Sequence, residues 1–374
     1  MTKKILVISN TTFSIINFRS YLINRLAAEG HEVTVVASPD AYVEKLNAMK
    51  VRYVPWGLHR SSVNPIKELK SFLELFKVIK ANKPDLVISF TIKPNTYAAL
   101  VCFLLSVPII TVVTGLGYAF SNKTMGAWVA RSVMLRGLSL SSKVLVQNQA
   151  DTAFIKSVNK NLDRKTDYIA GSGVDTDYFC RSSAYSQSSF VTFSMIARML
   201  VEKGVLGYIE VARTIKQTYP DVVFNLMGSI DIGNPSACDE GYILQCHKEK
   251  IINYIPHTDD VRPQISGSAC IVLPTYYKEG IPRVLIETAS MACPIIASEV
   301  PGCTDIVIDG VNGILCQPKN SQSLLAAVKR FLDMSPQDRH KMGQNGRDIV
   351  LSKFTNERVF SKYQSSIEEV LGAR

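Results

Sequence analysis

Short apolar runs alternate with segments of helical spacing along the whole 374-residue chain, and no single motif restricts the fold as much as that alternation. In the first half the runs are KILVIS, HEVTVVAS, DLVISF, IITVVTG and KVLVQN, each bounded by turn formers and too short for a helix. Between them lie stretches such as NFRSYLINRLAAEG and PIKELKSFLELFKVIKANKP, the second opened by Asn64-Pro65 and stopped before Pro84. Strand, helix, strand in this order builds a parallel sheet covered by helices.

The pattern restarts after a Ser- and Gly-rich stretch, GSGVDTDYFCRSSAYSQSSF (171–190), with VTFSMIA, DVVFNLMG, CIVLP, PIIAS and GILC. The length is about twice that of a common domain of ~100–200 residues. The expected architecture is therefore α/β, with two Rossmann-like parallel-sheet domains, 1–178 and 179–354, facing a central cleft suited to ligands. The last helical segment, about 355–374, is free to pack on either.

With 47% apolar and 20% charged residues the chain has the balance of a soluble globular protein and not of a disordered one. MTKKILVISN lacks the long apolar stretch and cleavage site of a secretory signal, so the mature protein is expected to start there. The most apolar segment, AALVCFLLSVPIITVV (98–113), is shorter than the ~20 residues of a spanning helix and is broken by Pro108. Eight scattered cysteines without a C-x-x-C fit buried thiols in a reducing compartment better than disulfides or a zinc site.

The net charge of +10 is one-sided. Residues 1–178 hold 22 Lys/Arg against 12 Asp/Glu, whereas 179–374 hold 20 of each. The excess is densest from 50 to 140, where twelve basic residues face only Glu68, Glu74 and Asp85. Such a field attracts a polyanion or an anionic membrane surface, although it also describes a plain solvated face. The helix expected over 65–83 sets Leu69, Phe72, Leu73, Phe76 and Ile79 along one side with lysines elsewhere, a pattern that suits both a bilayer surface and packing on a sheet. The basic segment lacks a compact nucleic-acid motif with interleaved aromatics. Neither half opens with the G-x-G-x-x-G of a nicotinamide-binding unit, and the lone G-x-G of TGLGYAF marks a tight turn.

CIVLPTYYKEGIPRVLIETASMA reads as a strand ending at Pro274, a loop, and a helix begun near Pro282. In open parallel sheets ligands sit at the carboxyl ends of strands, where a helix N-terminus offers amides to phosphate. Glu279 then lies at the mouth and Glu287 about two turns into the helix. ARMLVEKG supplies Arg198 and Lys203 after the first strand of the same half, a fork and a point charge able to neutralise a diphosphate. Two carboxylates beside a phosphate are tolerable if they hold neutral hydroxyls while these cations cover the charge.

The chain resembles glycosyltransferase family 4, the retaining, metal-independent enzymes of GT-B fold that use nucleotide sugars. The resemblance runs nearly end to end and is carried by ARMLVEKG, GSGVDTDYF, LPTYYKEGIPRVLIETASMACPIIAS and VPGCTDIVIDGVNGIL. In the first half NFRSYLINRLAAEGHEVTVVAS, NPIKELKSFLELFKVIKANKPDLVISFTIKPNTYAA and VTGLGYAF look like the branch that extends polyprenyl-diphosphate-linked glycans in bacteria. The resemblance implies that Arg198 and Lys203 grip the donor diphosphate, Glu279 the hydroxyls of the transferred sugar, and Glu287 those of the ribose. Gly280, Ile281, Pro282, Arg283, Val284 and Leu285 would line the donor site. A lipid diphosphate needs cations in the first half, and Asn17, Arg19, His59, Arg60 and Lys93 are the candidates. The E-x7-E pair then binds hydroxyls and is not the acid/base dyad of a glycosidase.

Three positions depart from the family pattern. Where many members carry a histidine near the end of the fourth strand this chain reads SFTIKPNTY, with Lys93 its only charged side chain, Cys293 stands in a usual glycine place, and NTTFSIINFR replaces a glycine-rich loop after the first strand. The implied activity is a retaining hexosyltransferase, with no metal or other cofactor, moving a hexose or N-acetylhexosamine from a UDP-sugar to a polyprenyl-diphosphate-linked saccharide in surface polysaccharide or O-antigen assembly. N-acetylgalactosamine in α linkage is the favoured donor group. The implied place is the cytoplasm, peripheral on the inner face of the plasma membrane, without a nucleic-acid partner. A UDP-sugar epimerase of the same architecture and a non-catalytic basic binding protein remain as alternatives.

Overall fold

The computed structural model describes residues 2–58, 64–117, 120, 124–181, 191–231, 233–277 and 279–372. The chain forms two compact units, one of residues 1–173 with 356–374 and one of 174–355.

The first unit is built on seven strands: β1 (Lys4–Ile8), β2 (Glu32–Ala37), β3 (Arg52–Pro55), β4 (Leu86–Phe90), β5 (Ile109–Val113), β6 (Lys143–Val146) and β7 (Thr166–Tyr168). Their order is β3-β2-β1-β4-β5-β6-β7, with every neighbouring pair parallel. Both faces of the sheet are covered, which is why the inner strands are continuous apolar runs. Ile5 and Val7 point to one face with Val35, Leu22 and Ile23, while Leu6 and Ile8 point to the other with Leu75, Ile79 and Val101.

Helix Asn356–Gly372 completes the first of these faces through Val359, Phe360, Tyr363 and Ile367. An ion network holds it there: buried Lys143 meets Glu369 at 2.6 Å and Asp167 at 3.1 Å, and Lys362 meets Asp167 at 2.8 Å. Burial pushes the Asp167 carboxyl up, but the hydrogen bonds from Lys362 and Lys143 outweigh it and hold the group below its ordinary range.

Helix Pro65–Asn82 starts where Asn64 accepts hydrogen bonds from the amides of Ile66 and Lys67, and ends at Lys83 in a left-handed conformation. Its apolar residues do not form the single stripe that the sequence implied. Ile79 is buried and Phe72 and Phe76 pack beside it, but Leu69 and Leu73 face solvent together with Ile66. Leu75, two positions beyond Leu73, fills the core in their place.

The second unit carries β8 (Thr192–Ile196), β9 (Val223–Met227), β10 (Asn253–Ile255), β11 (Cys270–Leu273), β12 (Ile295–Ser298) and β13 (Gly313–Cys316), ordered β10-β9-β8-β11-β12-β13 and parallel throughout. Phe193 stacks on Phe224 with ring centroids 5.3 Å apart, and Phe331 closes on Phe193 edge to face. All ten strands expected from the apolar runs are present. β3, β7 and β10 were not anticipated, and each lies at a sheet edge. The eight cysteines are free thiols, seven of them buried. Among the described residues no helix is long and apolar enough to cross a membrane.

Candidate active site

The order of the second sheet reverses between β8 and β11: strands 8, 9 and 10 progress one way, and β11 returns to the other side of β8. At such a switch point the loops leaving neighbouring strands diverge and open a crevice at the carboxyl edge. Arg198 and Lys203 follow β8, and Glu279 and Glu287 follow β11. Arg198, Lys203 and Glu279 therefore come from the two connections that border this reversal, and Glu287 from the helix that follows the second.

The loops are bonded to each other. The Tyr276 amide donates to the Glu202 carbonyl at 2.9 Å, and the Thr275 hydroxyl donates to the same oxygen at 3.2 Å. Gly204 sits between them at φ +83°, where a Cβ would lie 2.3 Å from the Pro274 carbonyl oxygen, so only glycine permits this approach. Lys203, last residue of a 3₁₀ turn Val201–Lys203, is thereby delivered to Glu279, with Nζ 2.5 Å from Oε1. Both side chains are largely shielded, at 12% and 23% exposure.

Arg198 is half exposed and donates to Asp231 at 2.9 Å. Asp231 also accepts from the Asn234 side chain at 3.0 Å. Tyr277 lies beside this group, with the Lys203 ammonium 5.7 Å from its ring centre. Burial raises the phenol, and the Arg198 charge opposes the rise.

Helix Arg283–Ser290 begins after Pro282, which is its cap at φ −60° and ψ 122° and not its first helical residue. The first turn presents its amides and the positive end of the helix dipole toward the carboxyl edge. Ile281 and Leu285 are buried, so only their backbone is available to a ligand. Arg283 reaches down one turn and donates Nε to Glu287 Oε1 at 2.6 Å. Burial raises the Glu287 carboxyl above its ordinary value, with the Arg283 charge and hydrogen bond working against it. After β12, Gly302 at φ +88° presses on the Gly280 carbonyl and fixes the backbone that bears Glu279. The turn beyond the helix takes its left-handed residue at Ala292 (φ 51°), with Cys293 buried next to it.

In the first unit the reversal lies between β1 and β4. The Asn17 side chain caps back onto the Phe13 carbonyl at 3.0 Å. Arg19 is buried, its guanidinium 4.2 Å from the centre of the Phe90 ring and within 3.1 Å of the Phe18 carbonyl. Lys93, in the first turn of helix Ile92–Leu105, pairs with Glu68 at 3.0 Å, and Tyr97 donates to the other oxygen of that carboxylate. His59 and Arg60 lie outside the described residues. Among those described, no three His, Cys, Asp or Glu side chains converge as a metal site.

Two family models match the chain, "Glycosyl transferase 4-like" over residues 4–149 and "Glycosyl transferases group 1" over 185–349. The chain belongs to these glycosyltransferases. It is 26% identical over 342 residues to the N,N'-diacetylbacillosaminyl-diphospho-undecaprenol alpha-1,3-N-acetylgalactosaminyltransferase of Campylobacter jejuni, covering 87% of this chain and 88% of the relative. It is 24% identical to an Escherichia coli UDP-Gal:alpha-D-GlcNAc-diphosphoundecaprenol alpha-1,3-galactosyltransferase, covering 77% and 78%. The structure of Anabaena HepE in complex with UDP superimposes with a TM-score of 0.80 at 17% identity over 98% of this chain and all of that one. The two-sheet GT-B class is thus the fold of this glycosyltransferase.

Sequence reasoning missed two contributors to the site: Asp231 pairs with Arg198 across 33 positions, and Gly302 supports the Glu279 loop from the next strand. Arg283 was expected at the donor site, but its hold on Glu287 was not, although the i, i+4 spacing of opposite charges on a helix carried that signal.

Proposed function

We propose that this glycosyltransferase moves a hexose or N-acetylhexosamine from a UDP-sugar to a saccharide on a polyprenyl diphosphate, with retention and without a metal ion. N-acetylgalactosamine in α linkage is the favoured group, supported by the name of the Campylobacter jejuni relative. The observation that carries the reading is the placement of Arg198, Lys203 and Glu279 on the two connections at the β8/β11 reversal, with Glu287 in the helix that follows.

Both cations stand in ion pairs with carboxylates, Arg198 with Asp231 and Lys203 with Glu279. A diphosphate exchanges with these counter-ions, and the released Glu279 carboxylate accepts hydroxyls of the transferred sugar. Glu287, held by Arg283, accepts the ribose hydroxyls. In the transfer the bond from the anomeric carbon to the β-phosphate oxygen breaks and a bond to the acceptor oxygen forms on the same face. The acceptor proton passes to the departing phosphate oxygen, whose charge Arg198, Lys203 and the first turn of helix Arg283–Ser290 stabilise. Asn17 and Lys93 at the reversal of the first sheet are the described candidates for the acceptor diphosphate, and His59 and Arg60 complete the candidate set. Arg19, packed under Phe90, supports that edge from inside. Such an acceptor places the enzyme on the cytoplasmic face of an anionic membrane, in surface polysaccharide assembly.

The test is transfer from a panel of nucleotide sugars to a synthetic lipid-diphosphate saccharide, in the presence of a chelator, with the anomeric configuration of the product read by NMR. Arg198→Ala or Lys203→Ala is expected to lower kcat by roughly 10²–10³ if each removes one transition-state charge contact. Near-normal turnover in both would refute the assignment, and an isomerised sugar without acceptor would make the chain an epimerase.

A further inference from the structure

We propose that the first unit docks on an anionic lipid bilayer through two parallel apolar ridges, one on helix Pro65–Asn82 and one on helix Met125–Leu140. The inference rests on the lipid-linked acceptor proposed above and specifies the surface that meets the lipid. Ten of the twenty-one exposed large apolar side chains among the described residues lie on these two helices and on helix Ile92–Leu105 between them. Those three helices make up about an eighth of the chain, so the concentration is several times an even spread.

The exposed residues are ordered along each helix. Ile66, Leu69 and Leu73 follow one another at spacings of three and four, at 79%, 58% and 48% exposure. Met125, Trp128, Val129 and Val133 repeat that spacing on the other helix, with Met125 77% and Trp128 62% exposed. Each set is one solvent-facing stripe, distinct from the residues that pack the same helix on the sheet, such as Leu75 and Ile79 or Met134 and Leu138. Both stripes occupy the first half of their helices, the ends that leave the carboxyl edge of the sheet where Lys93 sits.

The three helices form one layer. Gly137 lies so close to helix Ile92–Leu105 that a Cβ would be 3.2 Å from the Thr96 Cα, while Tyr97 of that helix meets Phe72 edge to face and Lys93 pairs with Glu68. The middle helix adds Phe103 and Leu104 to the outer surface.

Charge identifies the occupant. No acidic residue occurs from 86 to 150, an interval in which the helices themselves carry Lys93, Arg131 and Arg136. On helix Pro65–Asn82 the exposed stripe is flanked by Lys67 and Lys70, and Glu68 is engaged by Lys93 and Tyr97. Apolar ridges set among cations match an anionic headgroup layer over acyl chains, and a tryptophan at such a boundary suits its amphipathic ring. A polar protein partner would leave the ridges unburied, and a second copy of the same face would oppose like charges.

The experiment is flotation of the full-length protein with vesicles of phosphatidylethanolamine and phosphatidylglycerol or of phosphatidylcholine alone, for wild type, Met125→Ser/Trp128→Ser and Leu69→Ser/Leu73→Ser. Wild type is expected to float with the anionic vesicles, and each double variant to lose roughly tenfold or more in partitioning. UDP-sugar binding, which reports a folded second unit, and turnover of a short-chain, water-soluble acceptor are expected to be unchanged. Variants that float like wild type would overturn the proposal, as would a wild type that ignores vesicles yet glycosylates the soluble acceptor. A wild-type dimer that the substitutions dissociate would assign the ridges to a second copy and overturn it as well. Vesicle binding that depends on the ridges, without transfer to any lipid diphosphate, would uphold the surface and refute the acceptor.

Discussion

Gly302→Ala tests the support of the Glu279 loop, and Gly30→Ala is its control. Both glycines are left-handed, at φ +88° and +85°, so alanine introduces about the same backbone strain at each, ~1–2 kcal/mol. Their surroundings differ. A Cβ at Gly30 meets nothing within 4 Å, whereas at Gly302 it falls 2.3 Å from the Gly280 oxygen and 3.2 Å from that of Glu279. Both contacts are backbone atoms, which no rotamer change relieves. To restore a separation of 3.0 Å the 279–280 backbone must move by at least about 0.7 Å, and an error near 1 Å at a positioned group costs about 10²-fold in rate. Chemical denaturation and steady-state transfer assays on the two variants separate the effects. Each is expected to lose ~1–2 kcal/mol of stability from φ strain, Gly302→Ala somewhat more from the contact, and only Gly302→Ala to lose roughly 10–100-fold in kcat/KM. Equal activity in both, with matching stability losses, would refute the view that Gly302 sets the position of Glu279.

Two further outcomes concern pH. Glu287 is pushed up by burial against the opposing effect of Arg283, so the carboxylate that accepts ribose hydroxyls is lost at a higher pH than an ordinary glutamate would lose it. Nucleotide affinity, measured by calorimetry, is expected to weaken on acidification from above the usual glutamate range, and Glu287→Gln to be weaker but flat; an unchanged acid limb in that variant would exclude Glu287 as its source. The sign is opposite for Asp167, whose depressed pKa contributes stability above the unfolded value of ~4 that disappears as pH falls through the folded one. Lys143→Met removes one of its two cations and is expected to cost ~1–2 kcal/mol at neutral pH, a figure reduced because Asp167 and Glu369 remain 33% and 58% exposed to water. The gap to wild type in urea should narrow on acidification; a pH-independent gap would mean that packing, not charge, is what Lys143 supplies.

The parts of this molecule that were legible in the sequence share a physical cause. Strands buried on both faces are apolar at nearly every position, so KILVI and IITVV declare themselves without help from the rest of the chain. β3, β7 and β10 are edge strands of four, three and three residues, RYVP, TDY and NYI, and their outer sides remain partly in water. An edge strand is defined by the neighbour it pairs with, and that neighbour is remote in sequence. The same limit explains Leu69 and Leu73. Helical spacing places them beside Phe72 and Phe76, yet only the tertiary layer of helices decides which part of a wide apolar arc is covered, and here it covers Leu75 and Ile79.

The candidate site divides along the same line. Glu279 and Glu287 stand out because a short loop and about one helical turn separate them, and Arg198 and Lys203 because a single short loop does. The pairing of one set with the other spans 76 positions between Lys203 and Glu279, and it exists because β11 returns to lie beside β8. Each half of the motif is therefore local, whereas its function depends on the crossover. A charge pair shielded to 12% and 23% exposure leaves neither partner surrounded by bulk water, so an entering anion must replace Glu279 at Lys203 and not merely join it. Nucleotide binding that follows this exchange should show a shallow dependence on ionic strength, because the site as a whole is close to neutral before the diphosphate arrives. A steep dependence, like that of a bare cationic pocket, would mean that Lys203 and Glu279 are not paired in the protein that meets the donor.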